Sequence, residues 1–187
     1  MSLTTAQLAT LRADITADGT LSQIPNNSDG AYAVAAAYNA AAVPTFYVWC
    51  SSVSVDQIFN TVTWANLTPA DAPDTTQLWM NRALACQGKK FNIQTMLTGR
   101  TSLLTGLASV RAGLQDALTN IPSGAGGSIL TAGWVALRDG PLKRTATRGE
   151  QLFANTAGGN GLALATPAAL VIEGQITVSD VLNARAN

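Results

Sequence analysis

Histidine is missing from all 187 positions. Its absence removes the side chain that most often moves protons near neutral pH, and with it the Ser-His-Asp triad, the Cys-His nucleophile and most zinc sites. Charge is scarce too: Asp, Glu, Lys and Arg make up 12% of the chain, against about 25% in an average soluble protein. Intrinsic disorder goes with few apolar residues and much charge, so a chain that is 47% hydrophobic is expected to bury a core. Two cysteines occur, Cys50 and Cys86, with no companion ligands nearby in sequence. They are expected as buried thiols acting as small hydrophobes, with a disulfide the less favoured alternative. Long apolar runs are also lacking. The most apolar stretch, Ala31 to Cys50, is interrupted by Asn39, Pro44 and Thr45, short of the ~20 clean residues that span a bilayer, so no membrane partner is expected. Residues 1–17 are amphipathic rather than basic and then apolar, and no secretory signal is expected there.

What the chain does have is a recurring helix-start grammar. Thr4 and Gln7 have capping-box spacing, flanked by Leu3 and Leu8 at staple spacing; Leu8, Leu11 and Ile15 then share a face, and Asp18-Gly19 closes the segment. Asn27 or Ser28 opens an alanine-rich helix through Tyr32, Ala35, Ala36 and Asn39, ended by Pro44. Ser54/Gln57 and Thr147/Glu150 repeat the capping box, and Thr177 with Asp180 repeats the grammar of the first helix, with Ile176 and Val181 as staple. Between these, the pattern predicts helices over 74–87, stopped by Gly88, over 91–97, over 103–118 and over 129–137.

Strand signals are few. Phe46 to Cys50 is aromatic and β-branched and reads as a short strand or an extended buried connector, and Leu170 to Ile172 as another short strand. Residues 60–73, with Trp64, Pro69 and Pro73, read as an irregular excursion that could serve as a contacting arm; 122–128 and the glycine-rich 157–166 read as flexible loops. The expected fold is mainly α: one compact helical domain over 1–187, with one or two short β-strands and long loops.

No catalytic inventory emerges. Neither glycine-rich stretch has the strand, helix and lysine that a phosphate loop needs, and no GxSxG elbow occurs. Asp71 and Asp74 precede a predicted helix, where acids suit the dipole, and Trp49, Trp64, Trp79 and Trp134 are spaced as core or interface anchors. No cofactor and no metal are expected. The sharpest feature is basic: Arg138, Lys143, Arg144 and Arg148 fall within eleven positions. Such a cluster either contacts phosphates without reading sequence or forms a solvated, salt-bridged face, the commoner outcome. Charge is uneven along the chain, with one base against six acids in residues 1–80 and ten bases against five acids in 81–187. That polarity suits head-to-tail contact between copies, one face turned toward a polyanion, or simple composition drift.

Several segments, in order, resemble a known family. The opening LTTAQLATLRADITAD, then QIPNNSDGAYAVAAAYN, PTFYVWCSSVSVDQIF, LKRTATRGEQLFAN and TPAALVIEGQITVSDVLNARAN are similar to small virion structural proteins of tailed bacteriophages. Residues 60–135 carry no such likeness. The resemblance implies a non-enzymatic head–tail connector (adaptor), a homo-oligomeric ring between portal and tail around the DNA channel. The implied partners are copies of itself, the portal protein and tail or neck proteins, with non-specific contact to packaged DNA. The implied location is the virion, assembled in the bacterial host cytoplasm. It further implies Lys143, Arg144 and Arg148 as contacts to the acidic portal or lumenal DNA, Arg138 joining them as a candidate contact through the basic cluster alone, and the last helix, 176–185 with Val178, Val181, Leu182 and Arg185, as a docking element. The alternatives are a capsid-decorating or tail-completion protein, a free-standing DNA-binding protein, and, remotely, a hydrolase acting through Glu150 or Glu173 with Asp180, which would need carboxyls about 5–10 Å apart.

Overall fold

The computed structural model describes residues 3–69, 77–122 and 129–186. Eight α-helices occur among them: α1 (Thr5–Ala17), α2 (Ser28–Asn39), α3 (Val55–Thr61), α4 (Gln77–Leu97), α5 (Ala108–Leu118), α6 (Trp134–Asp139), α7 (Arg148–Phe153) and α8 (Val178–Ala186). Six short strands, β1 (Tyr47–Trp49), β2 (Val53–Ser54), β3 (Ser102–Leu103), β4 (Ile121–Pro122), β5 (Ile129–Leu130) and β6 (Lys143–Thr145), pair two by two as β1–β6, β2–β3 and β4–β5. The fold is mainly α. By contact density the chain divides into two compact units: one formed by residues 1–48 together with 145–187, the other by 49–144.

In the first unit, α1, α2 and α8 bring together residues far apart in sequence. Leu11 and Ile15 from α1, Val34 and Tyr38 from α2, and Ile176, Val181 and Ala184 from the C-terminal segment form its core. The predicted caps hold. The Thr4/Gln7 and Thr147/Glu150 boxes are closed in both directions, and Thr177 and Asp180 exchange side-chain-to-backbone bonds of 2.9 and 3.1 Å. A second, smaller cluster gathers Ala42, Phe46, Val48, Ala146 and Ala168. Residues 157–166, expected as a flexible loop, are folded onto this cluster. Tyr47 N–H donates to the Gly161 carbonyl at 2.7 Å and Gly161 N–H to that of Thr166 at 2.7 Å, while the Asn160 carboxamide oxygen accepts from Leu162 N–H and the Thr166 hydroxyl. Gly161 has φ +72° and lies against the Phe46 ring, where a Cβ would sit 2.2 Å from a ring carbon; only glycine serves both needs. The strand expected at 170–172 is instead a pair of isolated bridges at Ala168 and Ala169.

In the second unit, one core joins Val53, Ile58, Val62 and Leu67 to Cys86, Ile93 and Leu97 of α4, to Leu114 and Leu118 of α5, and to Trp134, Leu137 and Leu142. Three boundaries differ from expectation. The helices predicted at 74–87 and 91–97 are one helix running through Gly88; an interior glycine costs only about 1 kcal/mol, and burial of Cys86 and Ile93 on either side outweighs it. Residues 74–76 lie outside the described residues. The helix predicted from 103 begins at 108, because Ser102 and Leu103 pair with Ser54 and Val53 and the next turn is tied back by Thr105 Oγ1 to the Cys50 carbonyl and by Gly106 N–H to that of Ser51. The helix predicted from 129 begins at Trp134, because Ile129 and Leu130 pair with Pro122 and Ile121. Gly133, with φ +85°, turns the chain so closely past Thr61 that a Cβ would meet its carbonyl oxygen at 2.5 Å.

The irregular arm expected at 60–73 is, over 60–69, part of this core: α3 ends at Thr61, and a 3-10 turn over 64–67 follows. Val62 and Leu67 are buried, and Trp64 Nε1 donates to the Phe59 carbonyl at 3.0 Å. Residues 70–73 and most of the expected 122–128 loop lie outside the described residues. Cys50 and Cys86 form no disulfide; Cys86 is buried, which raises its thiol pKa, and its Sγ contacts the Pro122 carbonyl.

Candidate assembly surface

The basic cluster is divided by the fold. Arg138 and Lys143, in the second unit, converge on one carboxylate. Arg138 makes a bidentate pair with Asp139 at 2.8 and 2.6 Å, and Lys143 Nζ reaches the same group at 2.8 Å. The Arg138 guanidinium, aided by Lys143, holds the Asp139 carboxyl well below the usual carboxylate range. The Lys143 side chain is only 1% exposed, its ammonium 5.1 Å from the centre of the Trp49 ring, whose other cation is Arg111 at 4.3 Å. A buried ammonium held by Asp139 presents no surface to a phosphate, so the expected backbone-contact role does not fit Lys143. Arg144 is half-buried in β6.

Arg148 belongs to the first unit, at the start of α7. Its Nη2 donates to Asp14 at 3.0 Å and Asp18 at 2.9 Å, and its guanidinium stacks 4.8 Å from the centre of the Tyr38 ring. The Tyr38 hydroxyl donates to the same Asp14 carboxylate. Burial, then that bond to a carboxylate, raises the Tyr38 pKa far above its usual value. Asp18, which accepts from Leu21 and Thr20 N–H as well as from Arg148, is held below its usual range. Three elements are thus clamped by one guanidinium, a structural use of the charge.

The expected docking helix is likewise committed to its own unit. Val181 is fully buried, and Val178 and Leu182 pack against the same core. Arg185 donates from Nη2 to the Leu21 carbonyl at 2.9 Å and from Nη1 to that of Pro25 at 3.1 Å. Of the carboxylates weighed for catalysis, Glu150 and Asp180 cap helices, while Glu173 is exposed. Glu150 accepts from Thr147 N–H at 3.1 Å and Gly174 N–H at 3.3 Å, and Asp180 from Thr177 and Leu3. Burial opposes ionisation of Asp180, but the Thr177 and Leu3 hydrogen bonds outweigh it and lower its pKa. Among the described residues no group of three metal-ligating side chains occurs, and no helix is long and apolar enough to cross a membrane.

What sequence reasoning missed is the outward face of α4. Cys86, Ile93 and Leu97 point inward, whereas Met80, Leu84 and Phe91 are 52%, 69% and 67% exposed. At 100° per residue these three lie within about 40° of one another around the helix. The charged residues of α4, Arg82, Lys89 and Lys90, lie on the opposite half of the helix and are half-buried, Lys89 reaching across to Asp116 of α5. The outward face therefore runs along the helix without a charge, with Gln87, Gly88, Gln94 and Thr95 filling the intervals. The signal was present as a second apolar stripe on a helix whose first stripe is already buried.

The fold also regroups charge. The first unit contains three bases and six acids, a net −3; the second contains eight bases and five acids, a net +3. No protein-family model matches this chain, and neither a curated protein nor a solved structure is significantly similar to it.

Proposed function

We propose that this protein is a non-enzymatic assembly component of a tailed-phage virion, a head–tail connector that forms a ring of identical copies between portal and tail around the DNA channel. The observation that carries this reading is a coincidence of sequence and fold. Of the segments resembling phage virion proteins, 3–18, 23–39 and 166–187 fall within the 1–48/145–187 unit, as does most of 142–155, while 44–59 crosses into the other unit at Trp49; α1, α2, α7 and α8 share the core of the first unit. The stretch without resemblance, 60–135, lies wholly in the other unit. A family-like body carrying a divergent insert suits an adaptor, which must hold copies of itself and particular neighbours at once. Arg138, Lys143 and Arg148 are held in internal pairs at Asp139, Asp14 and Asp18, so self-association rather than DNA backbone contact is the surface chemistry used here.

The test is electron microscopy of the purified protein mixed with the portal protein of its own phage. Rings capping one end of the portal, and missing when this chain is left out, are the expected result. An uncapped portal would move the protein to capsid decoration or tail completion, to be located by imaging the virion.

A further inference from the structure

A helix that leaves Met80, Leu84 and Phe91 in water over an uncharged face is incomplete on its own. Its counterpart must be apolar at the centre. The unit that bears α4 carries +3, so a counterpart of negative net charge is favoured, and this chain's other unit carries −3. Pairing two α4 faces about a two-fold axis would instead set +3 against +3. The −3 unit also offers a matching surface. Leu8, Ala9, Ala13 and Ala17 of α1 and Ala184 of α8 line a shallow apolar groove of about 640 Å³ with Arg12 among its lining. Alanine side chains leave room for leucine and phenylalanine between them.

We infer that the α4 face of one copy is covered by the α1 groove of a second copy of this chain. The inference rests on the assembly reading and names the contact it would use. Such a contact is heterologous: each copy gives a ridge to one neighbour and a groove to the other, which generates closed rings or open filaments. A ridge about 30 Å long and 10 Å wide covers less than the roughly 800 Å² per partner of a standard interface. A single pair is therefore weak, and ring closure, in which every copy uses both surfaces, multiplies it.

Sedimentation velocity of the full chain tests this directly. The chain should associate with rising concentration, and less so as salt is raised from about 50 to about 500 mM, since opposite net charges are screened. Leu84→Glu and Ala13→Glu, both at exposed positions, should each weaken association at least about tenfold with circular dichroism unchanged. Mixed one to one, they should form a species of two chains and no more, because each retains one intact surface. Phe91→Ser replaces Leu84→Glu if that variant does not fold. A wild-type chain monomeric up to about 100 µM, association indifferent to Leu84→Glu or to Ala13→Glu, or a mixture of the two variants that grows beyond two chains would overturn the inference. Ridge-dependent association with an uncapped portal would instead sink the connector reading and leave this contact standing.

Discussion

Tyr38 is fully buried, and its hydroxyl donates to the Asp14 carboxylate that Arg148 also holds. Because the native state raises its pKa, its stabilisation is complete below the unfolded value near 10 and is lost as pH rises through the higher folded value. Stability should therefore fall above about pH 10, and Tyr38→Phe should flatten that alkaline limb while costing about 1 kcal/mol at neutral pH, read from urea unfolding as a function of pH. At the acid end the sign reverses. Asp18, Asp139 and Asp180 all have lowered pKa values, so the stability they contribute is present above about pH 4 and drains as pH falls through their folded values. Arg148→Met, which keeps the stem but strands Asp14 and Asp18 beside Tyr38, should cost about 1–3 kcal/mol. An unchanged midpoint would show that the clamp does not stabilise the unit.

Among the elements, the helix starts rest on local chemistry and should respond locally. Thr147→Ala removes the oxygen that accepts from Glu150 N–H at 3.2 Å and should cost about 1 kcal/mol, by the same unfolding measurement. Helix α4 makes the opposite case. Gly88 sits mid-helix with nothing within 4 Å of an added Cβ, so Gly88→Ala should stabilise by about 0.5–1 kcal/mol. A destabilised Gly88→Ala would mean that the backbone there is not helical or that something packs against it. Gly133→Ala should destabilise, since its backbone is left-handed and the Thr61 carbonyl occupies the Cβ position.

At the scale of the whole molecule, the buried apolar side chains among the described residues form separate clusters, one in the 49–144 unit and two in the 1–48/145–187 unit. Leu114→Ala, at a fully buried site, should cost about 2–5 kcal/mol. Hydrogen exchange should then speed up over the amides of α4, α5 and β2 while those of α1, α2 and α8 hold their protection. Loss of protection everywhere would mean that the two units unfold as one. The charge division belongs to this scale as well. Counted along the sequence it ran from acidic first half to basic second half, but residues 145–187 return to the N-terminal unit, and the balance between units becomes −3 and +3.

Sequence alone settled what depends on neighbours a few positions apart. The four helix starts at Thr4, Ser54, Thr147 and Thr177 were legible because a cap and its partner lie three residues apart. The mainly α class followed from them. Tertiary structure decided what depends on distant partners. Whether Gly88 ends a helix, whether Leu103 is helix or strand, and whether 157–166 hangs loose were set by Ile93, by Val53 and by Tyr47 with Phe46, none of which local propensity contains. The same holds for the candidate site. The basic run read as one patch because its residues are adjacent in sequence, but Arg138 and Lys143 meet Asp139 while Arg148 meets Asp14, 134 positions away. The exposed stripe of α4 became visible only once burial of Cys86 and Ile93 showed which side of the helix faces water. A helix's periodicity is local, but the direction it faces is a property of everything packed against it.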